Sequence, residues 1–375
     1  VFISDDFYAV LPPLLPRILD GLGLSIALDA TLALVLCISS SVLQPIMGYL
    51  ADRFGGRWFV AAGPVCSGVF LSLIGVAPSF MLLVALLVLG GLGSAAFHPP
   101  SASAAARVQA GKGSGARLSL FSFGGALGFA VGPLVAVGIV ARWGLETLWV
   151  AMIPGLLVGG VVLWILPTDR AERAARLPPS PRRVLDRLAG PLGVIFAISA
   201  LGAFTQRVFI TFEPIIVNQA GGSEALGAGV LSIYLAAQAF GTLTGGLLAD
   251  RMDRRRLLLA LSLVALPAHL LAVSLSPGST GALFAAGMAG FTNMAMLPAM
   301  VVMAQEMLPE GAAVSSGIVM GLAWGVGSIG VLFVGIVADQ VGAQAAATWS
   351  MPALGLAALL TLHPAIRPHG RPSHL

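Results

Sequence analysis

Apolar runs of about 20 residues recur along the chain, separated by short polar breaks, and a run of that length spans a bilayer as an α-helix. Twelve such runs can be laid out, at 1–19, 29–50, 58–77, 80–105, 117–141, 146–166, 191–218, 226–249, 256–275, 280–305, 313–338 and 343–363. In hydrocarbon every backbone N–H and C=O must be satisfied within its own segment, so these runs predict helices. The expected fold is an all-α polytopic membrane protein of twelve transmembrane helices. One break is longer than the rest, "PTDRAERAARLPPSPRRVLDRLAG" at 167–190, polar and rich in Arg and Pro. It reads as a linker between an N-terminal six-helix lobe, 1–166, and a C-terminal six-helix lobe, 191–375, that ends in a short tail.

Composition removes the soluble alternatives. Of the 375 residues 57% are hydrophobic and only 10% charged, against about 25% charged in soluble domains. Gly (47) and Pro (24) are both abundant, as they are in transmembrane helices. The chain opens on "VFISDDFYAV", already apolar and without Met, so its natural start is expected upstream. Placing the linker in the cytoplasm leaves only Arg17, Arg142 and Arg207 of the 20 Lys and Arg off that side. That asymmetry follows the positive-inside rule, puts both termini and the linker in the cytoplasm, and accounts for a pI near 9.7 without nucleic acid as a partner. The expected surroundings are the lipid bilayer of a plasma (inner) membrane.

The two lobes repeat. "GYLADRFGGR" (Gly48–Arg57) and "GLLADRMDRR" (Gly246–Arg255) align with an offset of 198, which also takes Pro16 to Pro214 and Gly113 to Gly311. Six helices per copy is an even number, so both copies keep one topology. Parallel repeats of this kind predict a two-lobed transporter with its site between the lobes at mid-membrane.

The pattern Gly-x-x-x-Asp-Arg-x-Gly-x-Arg, present twice, resembles the major facilitator superfamily over essentially the whole chain, with Asp253 standing where the second copy would carry Gly. Within it, "VFISDDFYAVLPPLLPRI", "GSAAFHPPSAS" and "SLFSFGGALGFAVGP" resemble the fosmidomycin-resistance-type efflux proteins. The chain departs from that pattern at Pro100, where those proteins have Glu, and at Ser122 and Ala126, where they have Gln and Asn. The resemblance implies alternating access, a cavity lined by the first, fourth, seventh and tenth spans, and a conformational latch. Gly48, Asp52, Arg53 and Arg57 belong to that latch, in which Asp52 meets the start of the span near Ser315-Ser316. By the repeat, Asp250, followed by Arg251, should meet the start of the span near Arg117. Gly124, Gly128 and Gly132, with Pro133 following, lie at four-residue spacing on one helix face and suit close packing; they also resemble the Gly-x-x-x-Gly-Pro signature of the superfamily's antiporters.

Ionisable groups inside hydrocarbon mark function by default. Asp5, Asp6, His98, Arg207 and Glu213 fall in predicted spans. Counting about 1.5 Å per residue, Asp5 lies roughly 22 Å and His98 roughly 27 Å from the outer face. An aspartate–histidine pair at one level could hold a proton, with Asp5 or Asp6 facing His98; the bland reading has His98 satisfying carbonyls freed by Pro99-Pro100. Glu213 is a protonatable gate or an ordinary interfacial carboxylate. Arg207 would bind an anionic substrate or form a structural ion pair with Asp6 or Glu213. Gln206, Gln238 and Asn293 would orient substrate or bond between helices.

Neither a metal-ligand cluster nor a cofactor motif stands out, and no nucleophile–base pair suggests an enzyme. The expected function is proton-coupled efflux of a small organic solute, anionic or drug-like, by a monomer. The alternatives are proton-coupled uptake of an organic anion and, in another class, a non-transporting sensor or scaffold.

Overall fold

A computed structural model describes residues 34–107, 114–166 and 179–366, together with Leu14, Arg17, Ile18 and Leu32. Among these residues the secondary structure is helical, with no strand. The helices are α1 (Leu34–Phe54), α2 (Gly56–Val76), α3 (Phe80–Arg107), α4 (Ser114–Trp143), α5 (Leu145–Ile165), α6 (Pro181–Leu188), α7 (Pro191–Gln219), α8 (Glu224–Arg251), α9 (Arg254–Ser274), α10 (Thr280–Met307), α11 (Pro309–Val341) and α12 (Ala343–Thr361). Ten of the described helices are long and apolar enough to cross a membrane. Two predicted spans stand outside that ten. The run 117–141 lies inside the 30-residue helix α4, and 1–19 falls almost wholly outside the described residues.

The helix boundaries follow local chemistry, and the offset of 198 reappears in them. Gly144 and Gly342 precede α5 and α12 with φ of 91° and 88°, a conformation that glycine adopts without steric cost. Ser223 caps α8 by accepting from the Leu226 N–H, and Asp253 caps α9 by accepting from the Arg256 N–H. Two helices carry a π-helical turn, Ile38–Val42 in α1 and Ile318–Leu322 in α11. These turns face one another, since Gly321 lies against the Gln44 side chain and the Ser41 carbonyl.

The chain divides into two compact units. One comprises Val1–Arg107, Phe121–Ser180 and Leu308–Gly325; the other comprises Val108–Leu120, Pro181–Met307 and Val326–Leu375. The division runs through α4 and α11, so the start of each belongs with helices from the other half of the sequence. In the first unit a cluster around Leu36, Leu71, Leu83, Leu87, Val140 and Leu148 forms the interior. In the second, Gly241, Gly245 and Gly290 bring the α8 and α10 backbones together, each facing a carbonyl of the opposite helix. Lipid is as apolar as leucine, so such close approach of small residues drives the packing.

Candidate functional site

Two carboxylates hold the starts of α11 and α4. Asp52, near the end of α1, accepts from the N–H groups of Ala313 (3.2 Å) and Val314 (2.9 Å). Asp250, at the end of α8, accepts from those of Gly115 and Ala116, both at 2.9 Å. Adding 198 to 52, 115 and 116 gives 250, 313 and 314, so the two contacts are copies in which donor and acceptor exchange halves. The first N–H groups of a helix have no intrahelical acceptor and carry the positive end of its dipole, which suits a carboxylate. The contacts fall a residue or two before Ser315-Ser316 and Arg117, because that is where the unsatisfied donors lie. Gly48 and Gly246 permit the approach. A Cβ at Gly48 would lie 2.6 Å from the Ala313 oxygen, and one at Gly246 would lie 2.5 Å from the Ser119 side chain.

The arginines of the two loops divide their tasks. Arg57 donates to the Leu163 carbonyl in the last turn of α5. Arg255 donates to the Thr361 and Leu362 carbonyls at the end of α12, each at 2.7 Å. Arg57 and Leu163 map onto Arg255 and Thr361 at the same offset, so a guanidinium serves a helix C-terminus in both copies. Arg53 and Arg251 are exposed, and the Arg53 guanidinium lies 5.4 Å from the centre of the Phe54 ring. Arg117 is half-buried in the first turn of α4.

In the first unit His98 is half-buried on α3, edge-on to Phe97 at 5.5 Å, and Phe97 stacks on Phe121 of α4 at 6.2 Å. Pro99-Pro100 does not end the helix: α3 runs through both prolines to Arg107. Asp5 and Asp6 lie outside the described residues, so their pairing with His98 remains an expectation of the sequence. On α4, Gly128 and Gly132 are buried and Gly124 partly so; Pro133 sits in the same helix.

In the second unit the polar groups of α7 separate by face. Gln206 Nε2 donates to Gln238 Oε1 of α8 at 3.3 Å, and Asn293 Nδ2 of α10 donates to the Gly202 carbonyl at 3.0 Å. All three side chains are buried. Glu213 is 1% exposed, and its Oε2 has no hydrogen-bond partner among the described residues. Arg207 is half-buried, and among the described residues it forms no ion pair with Glu213. Six residues on one helix set the two side chains about 120° apart.

Sequence reasoning missed a cluster at the centre of this unit. Phe209 of α7 stacks on Tyr234 of α8 at 4.4 Å, and the Tyr234 hydroxyl lies 3.2 Å from His269 Nε2 on α9. His269 Nδ1 lies 2.8 Å from the Ala265 carbonyl. A carbonyl only accepts, so Nδ1 carries the proton and Nε2 accepts from the tyrosine in the neutral ring. Phe209, Tyr234 and His269 are all fully buried. The rule that selects His98, a histidine within an apolar run, selects His269 equally.

The family model of the Major Facilitator Superfamily matches residues 1–310 and, again, 192–374. The chain is 26% identical to the fosmidomycin resistance protein of Escherichia coli (strain K12), over 91% of this chain and 85% of that protein. It is 27% identical to the uncharacterized MFS-type transporter YfnC of Bacillus subtilis (strain 168), over 96% and 90%. Among solved structures, the fold is similar to the E. coli fucose:proton symporter FucP, with a TM-score of 0.76 at 13% identity, covering 96% of this chain and 95% of that one. It is also similar to the human organic anion transporter MFSD10, with a TM-score of 0.71 at 17% identity and 96% coverage of each. The apolar helices, the repeated Asp-Arg loops and the family match over the length of the chain agree: this integral membrane protein belongs to the Major Facilitator Superfamily, a family of transporters rather than enzymes.

Proposed function

We propose that the chain is a proton-coupled exporter of a small organic solute, anionic or drug-like, working as a monomer in the inner membrane with its termini and linker in the cytoplasm. The observation that carries alternating access is the pair of copied contacts, Asp52 on the start of α11 and Asp250 on the start of α4. Each couples a loop of one sequence half to a helix of the other, so each biases the equilibrium between conformations in which that helix start is held or released. On this reading 1–166 and 191–375 are the moving lobes and 167–190 is the link between them. The repeated Gly-Asp-Arg loops with their Arg57 and Arg255 caps form the latch. Asp5, Asp6, His98 and Glu213 carry protons. Arg207 attracts the anionic part of the solute, while Gln206, Gln238 and Asn293 orient it. Gly124, Gly128, Gly132 and Pro133 form the packing seam of an antiporter. The relative named for fosmidomycin resistance supports export and supplies a probe.

Proteoliposomes with an imposed pH gradient test the direction. Exchange moves fosmidomycin, or a screened organic anion, against the proton flow. Accumulation with the flow would replace export by uptake, and no movement of any solute would favour a sensor. Arg207→Ala and Glu213→Gln should each abolish transport while membrane expression is retained. Loss of expression alone would assign those two groups a structural part.

A further inference from the structure

The linker contains a helix that the transport reading does not use. α6, Pro181–Leu188, is separated from α7 only by Ala189-Gly190. Its eight residues divide cleanly by face at 100° per residue. Pro181, Val184, Leu185 and Leu188 lie on one side, and Arg182, Arg183, Asp186 and Arg187 lie on the other. Leu185 is 63% exposed, and Arg182 and Arg187 are exposed as well. The apolar side is therefore only partly covered by protein.

The position of α6 in the chain identifies the cover. α7 begins at Pro191 and is a membrane span. Two connecting residues reach about 10 Å at most. The connection is also compact, because Ala189 N–H bonds the Leu185 carbonyl, Gly190 N–H the Arg187 carbonyl and Gly193 N–H the Gly190 carbonyl. The helix is thus held at the level where α7 enters the bilayer. An amphipathic helix at that level lies in the interface, apolar side toward the acyl chains and cationic side toward the headgroups. Three arginines against one aspartate complement a negative surface, and a guanidinium fits a phosphate oxygen pair.

We propose that α6 is a membrane-surface helix that recognises anionic phospholipid headgroups, with Leu185 as its apolar anchor and Arg182 and Arg187 as its headgroup contacts. The proposal stands apart from the transport reading, since it requires only that α7 cross the membrane. Lipid composition would then set how firmly the entry to α7 is held.

The test uses the full chain in nanodiscs of phosphatidylcholine alone or with phosphatidylglycerol, read by hydrogen exchange of the 182–188 amides. Phosphatidylglycerol should slow exchange there by about fivefold for each arginine engaged, and added salt should reverse it. Arg182→Gln with Arg187→Gln should remove the lipid dependence while exchange in α8 and α10 stays unchanged, which shows an intact fold. Leu185→Glu should speed exchange of α6 in both lipids. Equal exchange in the two lipids would overturn the proposal. Protection that grows with the number of protein copies per disc would also overturn it, by assigning the face to a second copy of the chain.

Discussion

The loop after α1 and the loop after α8 are copies of one sequence, and they preserve some parts and replace others. Both keep the glycine, Gly48 or Gly246, that lets a helix start approach. Both keep the carboxylate, Asp52 or Asp250, that accepts two N–H groups, and the arginine, Arg57 or Arg255, that caps a helix end. The turn itself differs. In the first copy Gly55, at φ 95°, opens α2 with no side-chain cap, and Gly56 packs on Pro100. In the second, Asp253 caps α9 from an ordinary φ of −63°, and Arg254 bonds both oxygens of Glu306 at 2.7 and 2.6 Å. The helices differ as well: the α1–α11 crossing carries a π-turn on each side, while α4 and α8 are regular. What the copies share is the set of groups that touch another helix's terminus. The turn only has to deliver the chain to the next helix, and two unrelated chemistries do so.

The largest effect should come from filling the close approach. Gly48→Val would push carbon into the Ala313 carbonyl and the Val314 Cα, 2.6 and 2.8 Å from the first added atom. Gly246→Val would meet the Gly115 carbonyl and Ser119. Backbone cannot swing aside as a side chain can, so each variant should lose about 3 kcal/mol, the upper part of the overpacking range. Melting of the purified protein in detergent reads this. A Gly246→Val protein that melts like the wild type, beside a Gly48→Val protein that does not, would break the equivalence of the two crossings.

The equivalence was legible in the sequence where it rests on side chains. Gly48, Asp52 and Arg57 recur 198 residues on, and the offset alone locates Asp250 and Arg255. Its partners were less legible, because Ala313, Val314, Gly115, Ala116, Leu163 and Thr361 take part through backbone groups that any residue supplies. The π-turns left no trace for the same reason, an inserted residue having no code of its own. The continuity of α3 ran against local propensity: Pro99-Pro100 removes two donors, yet both prolines sit buried within the helix. Neighbouring helices can re-satisfy a backbone freed by proline in a membrane. The Phe209–Tyr234–His269 cluster was hidden because its three members lie on three helices, and only His269 carries a signal by itself.

Removing the carboxylates should cost less than filling the glycines. Asp52→Ala and Asp250→Ala each leave two helix N-terminal donors unsatisfied and remove a charge from the positive end of the dipole, a loss of about 1–2 kcal/mol. The double variant sharpens the comparison. If each carboxylate acts within its own contact, the melting effects add to within about 0.5 kcal/mol. A double variant no worse than either single one would show that the two contacts form and break together, as one switch rather than two. Gly55→Asp should cost a similar amount, about 1–3 kcal/mol, because its positive φ with extended ψ suits glycine alone.

The smallest effect is expected where the second copy is turned back toward the first. Asp253→Gly restores the pattern Gly-x-x-x-Asp-Arg-x-Gly-x-Arg after α8. It removes the bond from the Arg256 N–H, 2.9 Å in length, but glycine is itself a tolerated N-cap, so the loss should be a few tenths of a kcal/mol. The Arg254–Glu306 and Arg255 contacts remain to hold the start of α9. Asp253→Ala, which lacks both the acceptor and the freedom of glycine, should cost about 1 kcal/mol and serves as the reference. Melting of the two variants side by side reads the difference. If Asp253→Gly destabilises as much as Asp253→Ala, the capping oxygen matters beyond its helix end, and the two turns are not interchangeable ways of starting a helix. If it is near neutral while Gly55→Asp is costly, the exchange between the copies runs in one direction only, because an aspartate gives up a cap at little loss whereas the backbone at Gly55 admits no side chain without strain.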